Sequence, residues 1–281
     1  MIFSVSESVQ DTLITAEAKS GGGSDWIIHH VLDSHELDIA PFGSIPLPHL
    51  SLFGLDISIT KHVVFLWLVA ILLLIAFKIA ANAYKKSLVP HGFTNFMEVM
   101  IMFVRDDIAK PTIGKGYEKF LPYLLTVFFF ILFSNFIGLV PNGSTITSNI
   151  SVTSTLAVIA FIVIQGGGMV KNGALGYFKG LIPSGVPAWL LPIMFIVEIL
   201  GLFTKPFALA VRLFANMTAG HIVIFSLIGL IFILKTFYVA PVSVAFALFI
   251  YLLEILVALI QAYIFTMLTA LFIGMAVHQE H

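Results

Sequence analysis

Long runs of apolar residues alternate along this chain with short polar stretches. Three runs, at residues 62–83, 120–140 and 151–170, have about the 20 residues that an α-helix needs to cross a bilayer. A transmembrane β-barrel would instead show short segments of alternating polarity. The pattern therefore predicts an all-α membrane protein.

Two further apolar runs, at residues 188–234 and 241–277, are longer than one upright span. As straight helices they would measure about 70 and 55 Å at 1.5 Å per residue. Only Thr204-Lys205-Pro206 offers a polar turn inside the first run, and it is weak. We therefore predict a long, inclined hairpin of two helices with local bends at Pro192 and Pro206, giving about five membrane-embedded helices in all.

Residues 93–110 show a different pattern, in which apolar and charged positions are interleaved. The apolar members are Phe96, Val99, Met100, Phe103 and Val104, and the charged ones are Glu98, Arg105, Asp106 and Asp107. This periodicity is typical of an amphipathic helix lying in the membrane interface. The Gly-rich residues 171–179 are predicted to form a loop.

The charge distribution predicts how the chain is oriented. Lys and Arg accumulate on the cytoplasmic side of membrane proteins, so residues 85–119 and 171–179 should share that side with the C-terminus. Residues 1–60 hold eight acidic residues and one lysine. We predict a loosely folded, extracytoplasmic acidic segment at 1–60 and a membrane domain at 61–281.

Composition narrows the function classes further. With 59% hydrophobic and 10% charged residues, the chain does not resemble a soluble domain, and the absence of cysteine excludes disulfides and thiolate metal sites. A basic stretch followed by an apolar core is missing at the N-terminus, so a cleaved signal peptide is not expected. His29, His30, Asp33, His35 and Glu36 cluster, but their spacing matches no standard zinc site. No metal or other cofactor is predicted.

Polar residues interrupt the last two apolar runs at regular spacing. Glu198, Lys205 and Arg212 are seven residues apart, which keeps them on one stripe of a helix. Asn216 lies one turn beyond Arg212 on that stripe, whereas His221, nine residues on, points to roughly the opposite face. In the final run Glu254 and Gln261 are also seven apart and share a face.

These residues have ordinary structural interpretations as well as functional ones. Glu198 could pair with Lys205, while His221 and Gln261 could simply make interior hydrogen bonds. Arg212 is harder to explain, because a fixed charge at membrane depth costs at least about 3 kcal/mol and cannot be removed by deprotonation. Since imidazole and carboxylate groups can both exchange protons near neutral pH, the set as a whole suggests a proton path.

One stretch of the chain also carries a family resemblance. Lys205-Pro-Phe-Ala-Leu-Ala-Val-Arg-Leu-Phe-Ala-Asn-Met-Thr-Ala-Gly-His221 resembles the signature of subunit a of the F-type ATP synthase, its membrane stator. Leu259-Ile-Gln-Ala-Tyr-Ile-Phe-Thr-Met-Leu-Thr269 is similar to that family's last helix. The similarity extends more loosely from the first span onward and includes Asn135-Phe-Ile-Gly-Leu-Val-Pro141.

The resemblance implies a non-catalytic, ion-translocating subunit of a proton-transporting two-sector ATPase in a bacterial inner membrane. It implies that Arg212 is the essential arginine facing the carboxylates of a rotating c-subunit ring, with Gln261 near it. Asn216, His221 and Glu254 correspond to positions in the half-channel open to the outside, and Glu198 to a position near the cytoplasmic half-channel. The implied partners are the c ring, the peripheral-stalk b subunits, the rest of the F1Fo complex and lipid, with no nucleic acid.

The sequence departs from the family pattern at one pair of positions. Some bacterial members have the carboxylate at the position of His221 and the imidazole at that of Glu254. If the two groups are neighbours, this exchange conserves the pair and suggests that they share one proton site.

Other functions compete with this interpretation. A self-contained secondary transporter usually contains paired repeats, and none is evident between residues 62–170 and 188–277. A scaffold that conducts nothing would leave the charges in the apolar runs unexplained. A sodium-coupled version of the same stator is a closer alternative, although His221 favours protons.

Overall fold

The computed structural model describes residues 36–39, 43–46, 48, 51–52, 55–56, 58–86, 91–140, 143, 145–180, 187, 190–234 and 237–278. His29, His30, Asp33 and His35 lie outside these residues. The extracytoplasmic assignment of residues 1–60 therefore stays a prediction.

The membrane domain is built from helices. They are α1 (Lys61–Lys86), α2 (Phe93–Met102), α3 (Lys110–Ile113), α4 (Leu121–Gly138), α5 (Ile150–Asn172), α6 (Ala174–Gly180), α7 (Leu191–Leu234) and α8 (Ala240–Val277). Five of them, α1, α4, α5, α7 and α8, are long and apolar enough to cross a membrane. The predicted all-α membrane fold with about five embedded helices is confirmed.

Short strands precede the first helix. β1 (Glu36–Ile39) pairs antiparallel with β2 (Gly43–Pro46), and β3 (Ser51–Leu52) pairs with β4 (Leu55–Asp56). The acidic composition predicts a loosely folded segment here, without these strands. The two hairpins are local pairings of neighbouring residues, so they leave the helical class of the membrane domain unchanged.

Helices α7 and α8 are continuous, as the two-helix prediction required. α7 has 44 residues and contains Pro206, while α8 has 38 residues. Proline removes one backbone donor, a loss that membrane helices tolerate where neighbouring groups satisfy the freed carbonyl. Pro192 lies in the first turn of α7, where the missing donor has no helical partner to lose. The inclination of both helices to the bilayer stays a prediction.

The predicted amphipathic segment is helical but not uniform. A seven-residue π-helical stretch, Phe103–Ala109, separates α2 from α3. Within it the Arg105 guanidinium donates to both carboxylate oxygens of Asp106, at 3.1 and 2.7 Å, and holds the pKa of Asp106 below its usual range. Its placement in the membrane interface stays a prediction.

The prediction of a loop at residues 171–179 is wrong. Most of this stretch belongs to the end of α5 and to the short helix α6, which are separated by Gly173 at φ 72°. This left-handed conformation is available to glycine without a Cβ penalty, so one residue is enough to end α5.

The chain divides into two compact units. The His221 unit comprises Ile131–Thr153, Arg212–Ile260 and the described residues up to Leu72. The Lys205 unit comprises Leu73–Phe130, Ser154–Val211 and Gln261–His281. Each unit contains one of the polar clusters described next.

Candidate functional site

An imidazole and a carboxylate meet in the His221 unit. His221 Nδ1, from α7, lies 3.4 Å from Glu254 Oε1, from α8. Their side chains are only 16% and 7% exposed. Among the described residues, neither Glu254 carboxylate oxygen has a hydrogen-bond partner, and the His221 imidazole lies within ion-pair distance of one of them.

A glycine makes this approach possible. A Cβ atom at Gly220 would overlap the carboxylate of Glu254. Glycine inside a helix is less favourable than alanine by about 0.5–1 kcal/mol. Gly220 therefore lowers the stability of α7 but allows the Glu254 carboxylate to lie close to its backbone.

A threonine contacts the other face of the imidazole. Thr145, which lies between α4 and α5, hydrogen-bonds His221 Nε2 through its hydroxyl. Gly138, the last residue of α4, makes room for it, because a Cβ at 138 would lie 2.7 Å from Thr145 Cα. Ser148 Oγ donates to the Thr145 carbonyl at 2.7 Å. Both imidazole nitrogens of His221 therefore face polar groups of the chain.

Buried hydrogen bonds hold the segment that carries Thr145. Thr147 Oγ1 donates to Asn135 Oδ1 at 2.7 Å, and Asn135 Nδ2 donates to the Ala258 carbonyl at 3.4 Å. Asn135 and Thr147 are fully buried. Tyr251 donates from its hydroxyl to the Leu139 carbonyl at 2.9 Å. These contacts connect α4, the following segment and α8 around the imidazole.

Apolar packing completes this part of the unit. Leu139, Met217 and Ala258 form a buried cluster that Phe136, Tyr251, Ile255 and Val257 cover. The cluster takes residues from α7, α8 and the end of α4. It excludes water from much of the surroundings, which strengthens the polar contacts beside it.

Arg212 has a very different environment in the same unit. Its side chain is exposed, and within the described part of the chain no acidic group forms an ion pair with it. Ala215, Ala219 and Val223 continue the exposed face of α7 at helical spacing. Asn216, also exposed, lies one turn beyond Arg212. A fixed cation thus lies on a largely apolar surface.

The Lys205 unit contains an open pocket instead. A cavity of about 340 Å³ is lined by residues of α5, α6, α7 and α8 and by His278. Its polar lining residues are Gln165, Tyr177, Glu198, Lys205 and His278. Lys205 Nζ lies 5.3 Å from the ring centroid of Phe272, a cation–π contact. In the described residues no ion pair joins Glu198 to Lys205, which argues against the purely structural interpretation of Glu198.

Hydrogen bonds hold two of the side chains that line this pocket. The buried Tyr177 hydroxyl donates to Gln165 Oε1 at 2.6 Å, and burial raises the pKa of Tyr177. The exposed imidazole of His278 lies 3.3 Å from Lys171 Nζ through Nδ1 and 3.3 Å from the Lys115 carbonyl through Nε2. Because ammonium only donates and a carbonyl only accepts, these two contacts suit an imidazole with a hydrogen on Nε2 and none on Nδ1.

The structure brings together some of the predicted residues. His221 and Glu254 are neighbours, as the exchange of their positions suggested, and Glu198 lines the pocket with Lys205. Gln261 is buried in α8, within the Lys205 unit. In the part of the chain that the structure describes, no cluster of three or more His, Asp or Glu is arranged to hold a metal ion.

Sequence reasoning missed several polar residues of these clusters. Asn135 and Gln165 are amides inside apolar runs, and the cost of burying an amide in hydrocarbon could have identified both. Thr145 and Tyr177 lie outside the apolar runs and carry no comparable signal. Their importance depends on which helix they meet.

Comparison with known proteins agrees with the resemblance. The family model described as ATP synthase A chain matches residues 63–274. The chain is 57% identical to ATP synthase subunit a of Chloroherpeton thalassium over 90% of this chain and 77% of that protein. It is 50% identical to the subunit a of Pelodictyon phaeoclathratiforme over 100% of this chain and 85% of that one. It is 54% identical to the ATP synthase subunit a of Myxococcus xanthus over 81% of this chain and 75% of that protein.

The match includes most of each of the five candidate membrane helices and every polar residue of the two clusters except His278, and the identities extend over most of each protein compared. The chain therefore belongs to the ATP synthase A chain family, the family of the membrane-embedded subunit a.

Proposed function

We propose that this chain is the proton-translocating stator of the ATP synthase Fo sector and that Arg212 faces the carboxylates of a c-subunit ring. The observation that carries this proposal is the exposure of Arg212 on an apolar helix face without an acidic partner among the described residues. A permanent charge in that position needs a counter-charge from outside the chain. The small side chains of Ala215 and Ala219 would let a partner helix approach closely.

The chemistry of such a contact supports coupling. An ionised ring carboxylate is costly in lipid, so it must be protonated while it faces lipid. Beside Arg212 the anionic form is stabilised, and the proton is released. The guanidinium also repels protons and so blocks direct passage between two half-channels. Each proton that crosses releases about 2.3 kcal/mol per 100 mV, which offset half-channels convert into rotation.

The two polar clusters supply candidate half-channels. Asn216, His221 and Glu254 would line the path open to the outside. Glu198, in the pocket of the Lys205 unit, would belong to the path from the cytoplasm. The N-terminus would lie outside and the C-terminus in the cytoplasm, with the c ring and the peripheral-stalk b subunits as partners.

Substitution of Arg212 tests the proposal. In inverted membrane vesicles, Arg212→Ala is expected to abolish ATP-driven proton pumping while the complex still co-purifies with its c subunit. Arg105→Ala changes the chain's other arginine, which pairs with Asp106, and should leave pumping near normal. Unimpaired pumping by the Arg212 variant would refute the assignment.

The choice of ion needs its own measurement. A proton-coupled stator should pump at the same rate with and without added sodium, whereas a sodium-coupled one should stop when sodium is removed. The imidazole of His221 supports protons, since an imidazole carries a proton and does not favour sodium as a ligand.

A further inference from the structure

The hydroxyl of Thr145 occupies one end of the His221 imidazole, and Glu254 occupies the other. The contact with Thr145 does not follow from the spacing of residues on α7 or α8, because Thr145 comes from the segment between α4 and α5. We propose that Thr145 is a positioning residue for proton transfer, which holds His221 with Nδ1 directed at Glu254 in every protonation state. This inference rests on the proposed proton path through His221.

A hydroxyl suits this task because it can donate or accept a hydrogen bond. With the proton on Nδ1, the ring donates toward the Glu254 carboxylate and accepts from Thr145 at Nε2. With the proton on Nε2, the ring donates to Thr145 and accepts at Nδ1 from a protonated Glu254. The imidazolium donates to both partners. The ring therefore never needs to rotate away from Glu254 as protons arrive and leave.

Several structural features position the Thr145 hydroxyl. Gly138 lacks the Cβ that would collide with Thr145, and Gly220 lacks the Cβ that would displace the Glu254 carboxylate. Ser148 binds the carbonyl of Thr145, and the buried bond between Thr147 and Asn135 ties the same segment to α4. A residue serving only to fill space would not require such a set of polar attachments on both sides.

The contacts of His278 differ from those of His221. The nitrogens of His278 face an ammonium and a carbonyl, which accommodate a single neutral tautomer. Thr145 and Glu254 accommodate both tautomers of His221. The difference between the two histidines depends on the Thr145 hydroxyl, and one substitution removes this hydroxyl.

The test compares Thr145→Val with Thr145→Ser in the assembled ATP synthase. Valine keeps the shape and removes the hydroxyl, so proton pumping should fall about tenfold, the order of one lost hydrogen bond. Serine keeps the hydroxyl and should restore pumping to within about twofold of the original rate. Thr153→Val is the matched control, because Thr153 is equally buried in the same unit and its hydroxyl bonds only the backbone of its own helix region.

A spectroscopic measurement separates this proposal from the proton path itself. Nitrogen-15 spectra of the imidazole, assigned by subtracting the spectrum of His221→Ala, should change in Thr145→Val and return in Thr145→Ser. Unchanged nitrogen signals in Thr145→Val, or equal losses of pumping in Thr145→Val and Thr153→Val, would overturn the role of Thr145. Normal pumping by His221→Ala would refute the path, while the nitrogen spectra would still decide whether Thr145 orients the ring.

Should the valine variant fail to assemble, Thr145→Ala removes the hydroxyl without adding an apolar branch. It should match the valine prediction in both the pumping rate and the nitrogen signals. An alanine variant that pumps like the serine variant would contradict the proposal.

Discussion

The His221 site and the pocket of the Lys205 unit each hold one imidazole and one carboxylate, yet they are packed in opposite ways. In the first, His221 and Glu254 lie 3.4 Å apart among buried side chains, and Gly220 lacks the Cβ that would overlap the Glu254 carboxylate. In the second, Glu198 and His278 line about 340 Å³ of open volume. That volume has room for several water molecules beside the five polar residues that line it.

This difference separates two ways of moving a proton. Buried groups in contact can pass a proton directly. Each side chain must then be held in place, because no water molecule connects the two groups if they move apart. A hydrated cavity carries protons through water, and no single wall residue has to be placed so closely. We therefore expect substitutions in the His221 site to be severe and substitutions around the pocket to be mild.

The largest expected effect compares the two imidazoles. His221→Ala removes the proposed proton carrier and should slow ATP-driven pumping by at least about 100-fold, the scale of a lost acid–base group. His278→Ala removes an exposed ring that contacts Lys171 and the Lys115 carbonyl, and it should change the rate by no more than about twofold. Initial pumping rates in inverted vesicles, normalised to assembled complex, measure both. Equal losses would end the distinction between the two regions.

An exchange of the pair tests whether His221 and Glu254 act as one site. The double variant with Glu at 221 and His at 254 keeps the same two groups in contact, and we expect it to retain about one-tenth of the pumping rate, within the range of acid–base contributions. The double alanine variant should retain none. If both double variants are equally inactive, the shared proton site is wrong.

Two glycines of α7 give a matched comparison of tight and open packing. Gly220→Ala places a methyl group against the Glu254 carboxylate and should reduce pumping about tenfold through displacement of that group, in line with overpacking costs. Gly201→Ala meets nothing within 4 Å, so pumping should be unchanged. A harmless Gly220→Ala would mean that Glu254 has freedom to move.

The smallest effect concerns the stability of the Lys205 unit. Tyr177→Phe loses the hydrogen bond to Gln165 and should destabilise the unit by about 1 kcal/mol at neutral pH. Burial raises the pKa of Tyr177 in the folded protein above its value near 10 in the unfolded chain. The neutral phenol therefore contributes to stability below pH 10, and this contribution is lost as the pH rises through the pKa of the folded protein. Thermal unfolding curves should therefore show the two proteins converging above about pH 10.

The apolar pattern by itself determined the architecture. Spans of about 20 residues are fixed by bilayer thickness. The weakness of the candidate turn at Thr204-Lys205-Pro206 predicted one helix within residues 188–234, and the structure has one at Leu191–Leu234. The signature around Arg212 was enough to indicate the family. The same pattern failed at residues 171–179, because a glycine-rich sequence does not reveal where a single left-handed glycine ends one helix and another begins.

The tertiary structure alone decided which polar groups meet. Helical spacing gives the face on which His221 and Glu254 lie, but it says nothing about what the neighbouring helix presents there. Thr145 is far from both residues in sequence. Thr145 and Glu254 reach the ring because Gly138 and Gly220 lack the Cβ atoms that would collide with them. Contacts of this kind depend on close packing between distant segments, which no local periodicity encodes.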